Sequence, residues 1–181
     1  MAKKKENKMK AKKIVFLCVA VIFVYAICAC TKKNDSQNNG EKETTLEQSQ
    51  TLKYYYEYEN QKVYIAQRIE EAVLILGDDY EYFEAPSCAA KGMDMFYYYQ
   101  NLTIMANEID GEKIIVQIYF KNDTIATPEG IRINSLYADV VNQYGTDYNM
   151  NGTALEYSSK NTLFIIDFKD GKVASIEYQY K

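Results

Sequence analysis

The feature that most constrains this chain is a repeat. Val63, Ile65, Val73, Gly77 and Tyr80 match Ile131, Ile133, Val141, Gly145 and Tyr148 at a constant offset of 68, and Asp110-Gly111 matches Asp170-Gly171 at an offset of 60. Self-similarity at a fixed spacing means that one supersecondary unit is used more than once. The expectation is two copies, at about 52–126 and 127–181, within a domain spanning 52–181.

Each copy opens with a short strand (63–65; 131–133) and passes into a helix. Ile69, Ala72, Val73 and Leu76 fall on one apolar face of the first helix, and Leu136, Val140 and Tyr144 on one face of the second. Asn134 or Ser135 is placed to N-cap the second helix. Gly77 and Gly145 follow the helices, where a left-handed residue ends a helix at low steric cost. Strands are expected at 96–99, 102–106, 114–120, 154–157, 163–168 and 173–178, with Ile114, Val116, Ile118 and Phe120 alternating onto one face and Phe164, Ile166 and Phe168 onto another. The Asp-Gly pairs are hairpin turns, because tight turns of this kind need positive φ. The expected fold class is α+β: two tandem units, each a short helical segment packed on an antiparallel sheet.

The copies differ in length. Tyr80 and Tyr98 are 18 apart, whereas Tyr148 and Tyr157 are 9 apart, so the first copy carries extra residues within 81–95, read as a loop. That loop holds Pro86, Cys88 and Gly92 and follows the acidic, aromatic run DDYEYFE. Loops on a rigid scaffold often carry recognition. A possible binding surface therefore comprises Tyr54, Tyr56, Tyr82, Phe83, Cys88 and Tyr98, because tyrosine offers large contact area for little rotamer entropy. The plainer alternative places half of each tyrosine run in the core and buries Cys88.

Upstream, residues 14–29 form an uncharged apolar run behind seven lysines, the pattern of an export signal. Ile27, Cys28, Ala29 and Cys30 resemble a lipobox, which implies cleavage after Ala29 and lipidation of Cys30. The alternative is an uncleaved membrane-spanning helix, and either way the remaining chain is exported. Residues 30–51 are polar and too poor in apolar groups to offset ordering entropy, so they read as a disordered tether.

Composition removes several function classes. The formal charge is −4 for the chain and −10 once residues 1–29 are removed, which repels nucleic acid. Histidine is absent, and Cys88 is the only thiol after Cys30. No catalytic residue, metal ligand or cofactor site is therefore expected. The segment Asp147 to Gly152 matches the first half of a calcium loop, but Ser158 stands where a bidentate acid is required, so it reads as an Asx-rich turn. Glu70 with Glu71 and Asp78 with Asp79 read as solvated faces.

Thr127, Pro128, Gly130, Ile131, Arg132 and Ile133, then VVNQYG, then Asp-Gly-Lys-Val-x-x-Ile-x-Tyr near the end resemble a group of bacterial lipoproteins of clostridial type. Their units are similar to the tandem modules of β-lactamase inhibitory protein and of small outer-membrane assembly lipoproteins. The resemblance covers about residues 62–180; Ala66-Gln67-Arg68 and Asn134-Ser135-Leu136 stand where such units usually carry Gly-Asp-Ser. It implies a lipid-anchored, non-enzymatic module on the extracytoplasmic face of the cell membrane, with a protein or envelope partner. The alternatives are a carboxylate-using enzyme, or enzyme accessory, acting on envelope polymers, and a structural spacer.

Overall fold

The structure is a computed structural model that describes residues 52–88 and 91–181. Ala29, Cys30, the signal segment and the tether lie outside the described residues. In chain order the elements are β1 (Tyr56–Tyr58), β2 (Gln61–Val63), α1 (Ile69–Leu76), β3 (Glu81–Pro86), β4 (Met93–Tyr98), β5 (Leu102–Ile109) and β6 (Glu112–Phe120). There follow α2 (Tyr137–Tyr144), β7 (Asn149–Asn151), β8 (Ala154–Ser159), β9 (Thr162–Lys169) and β10 (Lys172–Tyr180).

Strand dominates, and this corrects the expected fold class. One antiparallel sheet of eight strands, in the order β3-β4-β5-β6-β10-β9-β8-β7, runs through both halves, in place of two units each with its own sheet. The physical reason lies at the seam. Strands β6 and β10 end their respective halves, and each alone would leave a long row of unpaired backbone groups. They close each other instead, with Ile118 opposite Tyr178, Tyr119 opposite Glu177 and Gln117 opposite Gln179.

The sequence repeat survives as local geometry within this one sheet. Ala66 and Asn134 both take positive φ, and their N–H groups donate to Ile115 and Val173 respectively, each at 2.9 Å. The return bonds, Ile115 N–H to Gln67 and Val173 N–H to Ser135, are also 2.9 Å. After each helix a glycine carbonyl accepts a tyrosine hydroxyl: Tyr99 to Gly77 at 3.1 Å and Tyr157 to Gly145 at 3.0 Å. Gly77 (φ 85°, ψ 178°) and Gly145 (φ 79°, ψ −168°) lie in an extended positive-φ region that essentially only glycine occupies, not in the left-handed helical region expected from the sequence.

The core lies on one face of the sheet. Ile104, Ile118, Phe120, Leu155, Tyr157, Phe164, Ile166, Ile176 and Tyr178 point into it, together with Ile69 and Ala72 of α1 and Val140 of α2. Each such large side chain contributes roughly 1.5–3 kcal/mol by leaving water. The ribbon β1-β2 closes over the seam, with Tyr54 stacked on Phe164 (5.1 Å) and Tyr56 edge-on to Phe120 (5.6 Å).

Several local expectations are corrected. Residues 131–133 form no strand, and Leu136, not Asn134 or Ser135, is the N-cap of α2. There Asp139 accepts the Leu136 N–H at 3.2 Å, and Leu136 itself is exposed. In β6 the alternation slips. A register shift against β5, between Met105 and Ala106, turns Ile115 into the core in place of Ile114 and Val116.

Candidate functional site

Antiparallel pairing decides which side chains share the uncovered face, because residues directly opposite point the same way. Phe83 is opposite Phe96, and Phe96 opposite Met105; Tyr98 is opposite Thr103, and Thr103 opposite Tyr119. These residues turn away from the core. Phe83 is 54% exposed, and Tyr98 and Tyr119 are each 37% exposed. The Phe96 ring lies 6.1 Å from that of Phe83 and stacks on Tyr98 at 5.9 Å with planes 5° apart. Toward the seam the same face turns polar, where Glu177 accepts hydrogen bonds from both Gln117 and Gln179.

The hairpin β3-β4 presents this aromatic group. The extra residues of the first half were expected to form a loop; part of them instead lengthen the two strands β3 and β4, and the rest, Cys88 and Gly92 among them, lie in the connection between Pro86 and Met93. Asn107, a buried polar side chain, pins the hairpin by donating to the Met93 carbonyl at 3.2 Å and to Asp94 at 2.6 Å. On the core-side face Tyr82 meets Tyr97 edge-on at 5.2 Å, and Tyr80 meets Tyr97 at 5.0 Å. The Tyr82 hydroxyl donates to Glu84 at 2.6 Å. That bond is the main reason the phenol is pushed up to about 12, with a smaller contribution from burial, so Tyr82 keeps its proton across the physiological range.

The residues singled out from sequence divide. Phe83 and Tyr98 share the uncovered face of the hairpin, Tyr82 lies on its core-side face against Tyr97, and Cys88 sits beyond the end of β3, exposed rather than buried. Tyr54 and Tyr56 are corrected: at 4% and 6% exposure they are core residues and offer no surface. Their alternation is real, but it points them into the sheet. Phe96, Met105 and Tyr119 were missed. The signal for Phe96 was present, because it lies two residues before Tyr98 and so shares its face.

The remaining candidates are quiet. Asn149 and Asn151 donate to the two oxygens of Glu156 at 3.2 and 2.8 Å across the β7-β8 hairpin, so the calcium-like segment, expected as an Asx-rich turn, is instead mostly strand β7, with the turn itself at Gly152 and Thr153. Among the described residues no group of three or more His, Cys, Asp or Glu side chains could hold a metal ion. None of the described helices is long and apolar enough to cross a membrane.

No family model matches the chain, and no curated protein matches it. A solved structure does. The crystal structure of an extracellular protein containing a SCP domain, from Bacillus anthracis str. Ames, is similar with a TM-score of 0.51 and 13% identity over 73% of this chain. The match takes in 50% of that protein, so this chain spans about half its length. At such identity the likeness is one of fold.

Proposed function

We propose that this chain is a lipid-anchored, extracytoplasmic binding module of a bacterial envelope, tied through Cys30 after cleavage behind Ala29, and that it recognises a partner rather than catalysing a reaction. The observation that carries this reading is the aromatic group of Phe83, Phe96, Tyr98 and Tyr119 on the uncovered face of the sheet. Aromatic side chains are enriched where proteins bind one another, because they bury much apolar area at a small cost in rotamer freedom. The neighbour from Bacillus anthracis is an extracellular protein, in agreement with export, and the resemblance to clostridial-type lipoproteins supports the same reading. Glu70, Glu71, Asp78 and Asp79 are all exposed, so none is the desolvated acid that a carboxylate enzyme would need.

Two measurements test the reading. The intact mass of the native protein should correspond to a chain beginning at lipidated Cys30; a retained leader would remove the anchor. Affinity capture from envelope extract should yield a partner that is lost when Phe83→Ser and Tyr98→Ser are combined. A captured set unchanged by that variant would leave the spacer reading in its place.

A further inference from the structure

The outer edge of β3 has a backbone phase that can be read from its neighbours. Ser87 N–H donates to Gly92 at 3.0 Å, which continues the β3-β4 register, and Tyr99 N–H donates to Leu102 at 3.0 Å on the other side of β4. Bonded residues alternate along an antiparallel strand. Glu81, Phe83 and Ala85 therefore exchange backbone bonds with β4, and Tyr82, Glu84 and Pro86 turn theirs outward. The place of Pro86 agrees with this phase: its missing N–H would have pointed away from the sheet, where proline is tolerated. The N–H and C=O groups of Tyr82 and Glu84 are thus directed off the edge, and among the described residues β3 pairs with β4 alone.

The side chains along this edge carry one sign. Asp78, Asp79, Glu81 and Glu84 are exposed, and the salt bridge among the described residues, Arg68 to Glu70, involves none of them. A second copy laid along the same edge would set acid against acid, which opposes self-pairing. A cationic strand would meet the reverse situation. We propose that the β3 edge accepts an extended basic segment of a partner as an added strand, held by the outward backbone groups of Tyr82 and Glu84 and selected by Glu81 and Glu84. Such strand addition takes affinity from main-chain bonds and specificity from the alternating side chains. The proposal extends the binding reading from the sheet face to its edge, and its test uses a defined ligand, so failure here would leave the capture experiment on the face untouched.

The probe is a fluorescent peptide of repeated Lys-Lys-Val-Val, which carries lysines on both faces of a strand as Glu81 and Glu84 require, titrated into the full-length protein in detergent micelles by anisotropy, with amide exchange followed by nuclear magnetic resonance. Binding should slow exchange at the Tyr82 and Glu84 amides by about tenfold or more and leave Phe83, already bonded to β4, unchanged. Replacing the peptide's lysines with glutamates should abolish binding, and the Glu81→Lys, Glu84→Lys variant should weaken it by about tenfold. No binding, binding without slowed exchange at Tyr82 and Glu84, or equal affinity for the glutamate peptide would each overturn the proposal.

Discussion

The two halves of the sheet place the same tyrosine after the same glycine, yet they build different hairpins from the residues between. Nineteen positions separate Tyr80 from Tyr99 in the first half, and nine separate Tyr148 from Tyr157 in the second. The equivalent rings touch alike, at 5.4 and 5.6 Å. The extra residues go into longer strands and a longer connection, six residues (87–92) between β3 and β4 against two (152–153) between β7 and β8. Strand β3 has six residues and β7 has three, and the longer hairpin carries Phe83, Phe96 and Tyr98, whereas β7 carries Asn149, Met150 and Asn151. A scaffold held constant by core contacts is thus free to vary at its two outer edges, and only the first edge has acquired an aromatic, acidic surface.

The comparison can be broken first by alkali. Burial raises the Tyr99, Tyr144 and Tyr178 phenols and pushes Tyr157 up to about 12 from an ordinary 10.0. Below pH about 10 both folded and unfolded chains hold these protons, so the contribution is fully present. Above it the unfolded chain ionises first, and stability falls as pH rises toward the folded values. Denaturant titrations from pH 8 to 12 should show this loss, and Tyr178→Phe should flatten the alkaline limb more than Tyr97→Phe, which removes a less buried phenol.

Next in size is the latch itself. Tyr157→Ala should cost about 3–5 kcal/mol in urea unfolding, since its ring is fully buried, and Tyr99→Ala should cost less. Equal costs would mean that the two latches are buried to the same depth in solution. Gly77→Ala and Gly145→Ala should each cost about 1–3 kcal/mol through backbone strain alone, because a Cβ at either position meets no atom within 4 Å. A large difference between these two would undo the equivalence of the helix ends. The smallest effect belongs to the hairpin. Phe83→Ser should shift stability by no more than about 0.5 kcal/mol while weakening capture of the partner.

Much of this fold was legible in residues that act locally. Asp110-Gly111 and Asp170-Gly171 form turns with positive φ at both positions, and α1 buries Ile69 and Ala72 as its periodicity requires. What escaped depends on contacts distant in sequence. The pairing of Ile118 with Tyr178 merges two expected sheets into one, and no pattern within either strand announces it. Strand β3 escaped because Glu81 and Glu84, flanking Tyr82 and Phe83, give a composition that fits a loop as well as an edge strand. Tyr54 and Tyr56 were misplaced for a related reason: alternation shows that two side chains share a face, and only the tertiary fold says whether that face meets water. Matching Tyr98 to Tyr157 erred by one residue, since the hydroxyl equivalent to that of Tyr157 belongs to Tyr99.

The central claim concerns which half of the sheet meets a partner, and position-specific crosslinking tests it most directly. A photoreactive phenylalanine analogue would be placed at Tyr98 in β4 and, separately, at Glu156 in β8, and irradiated in the native envelope. Adduct formation from position 98 with little or none from position 156 is the predicted result. Equal yields at the two positions, or none at either, would contradict a recognition role for the lengthened hairpin.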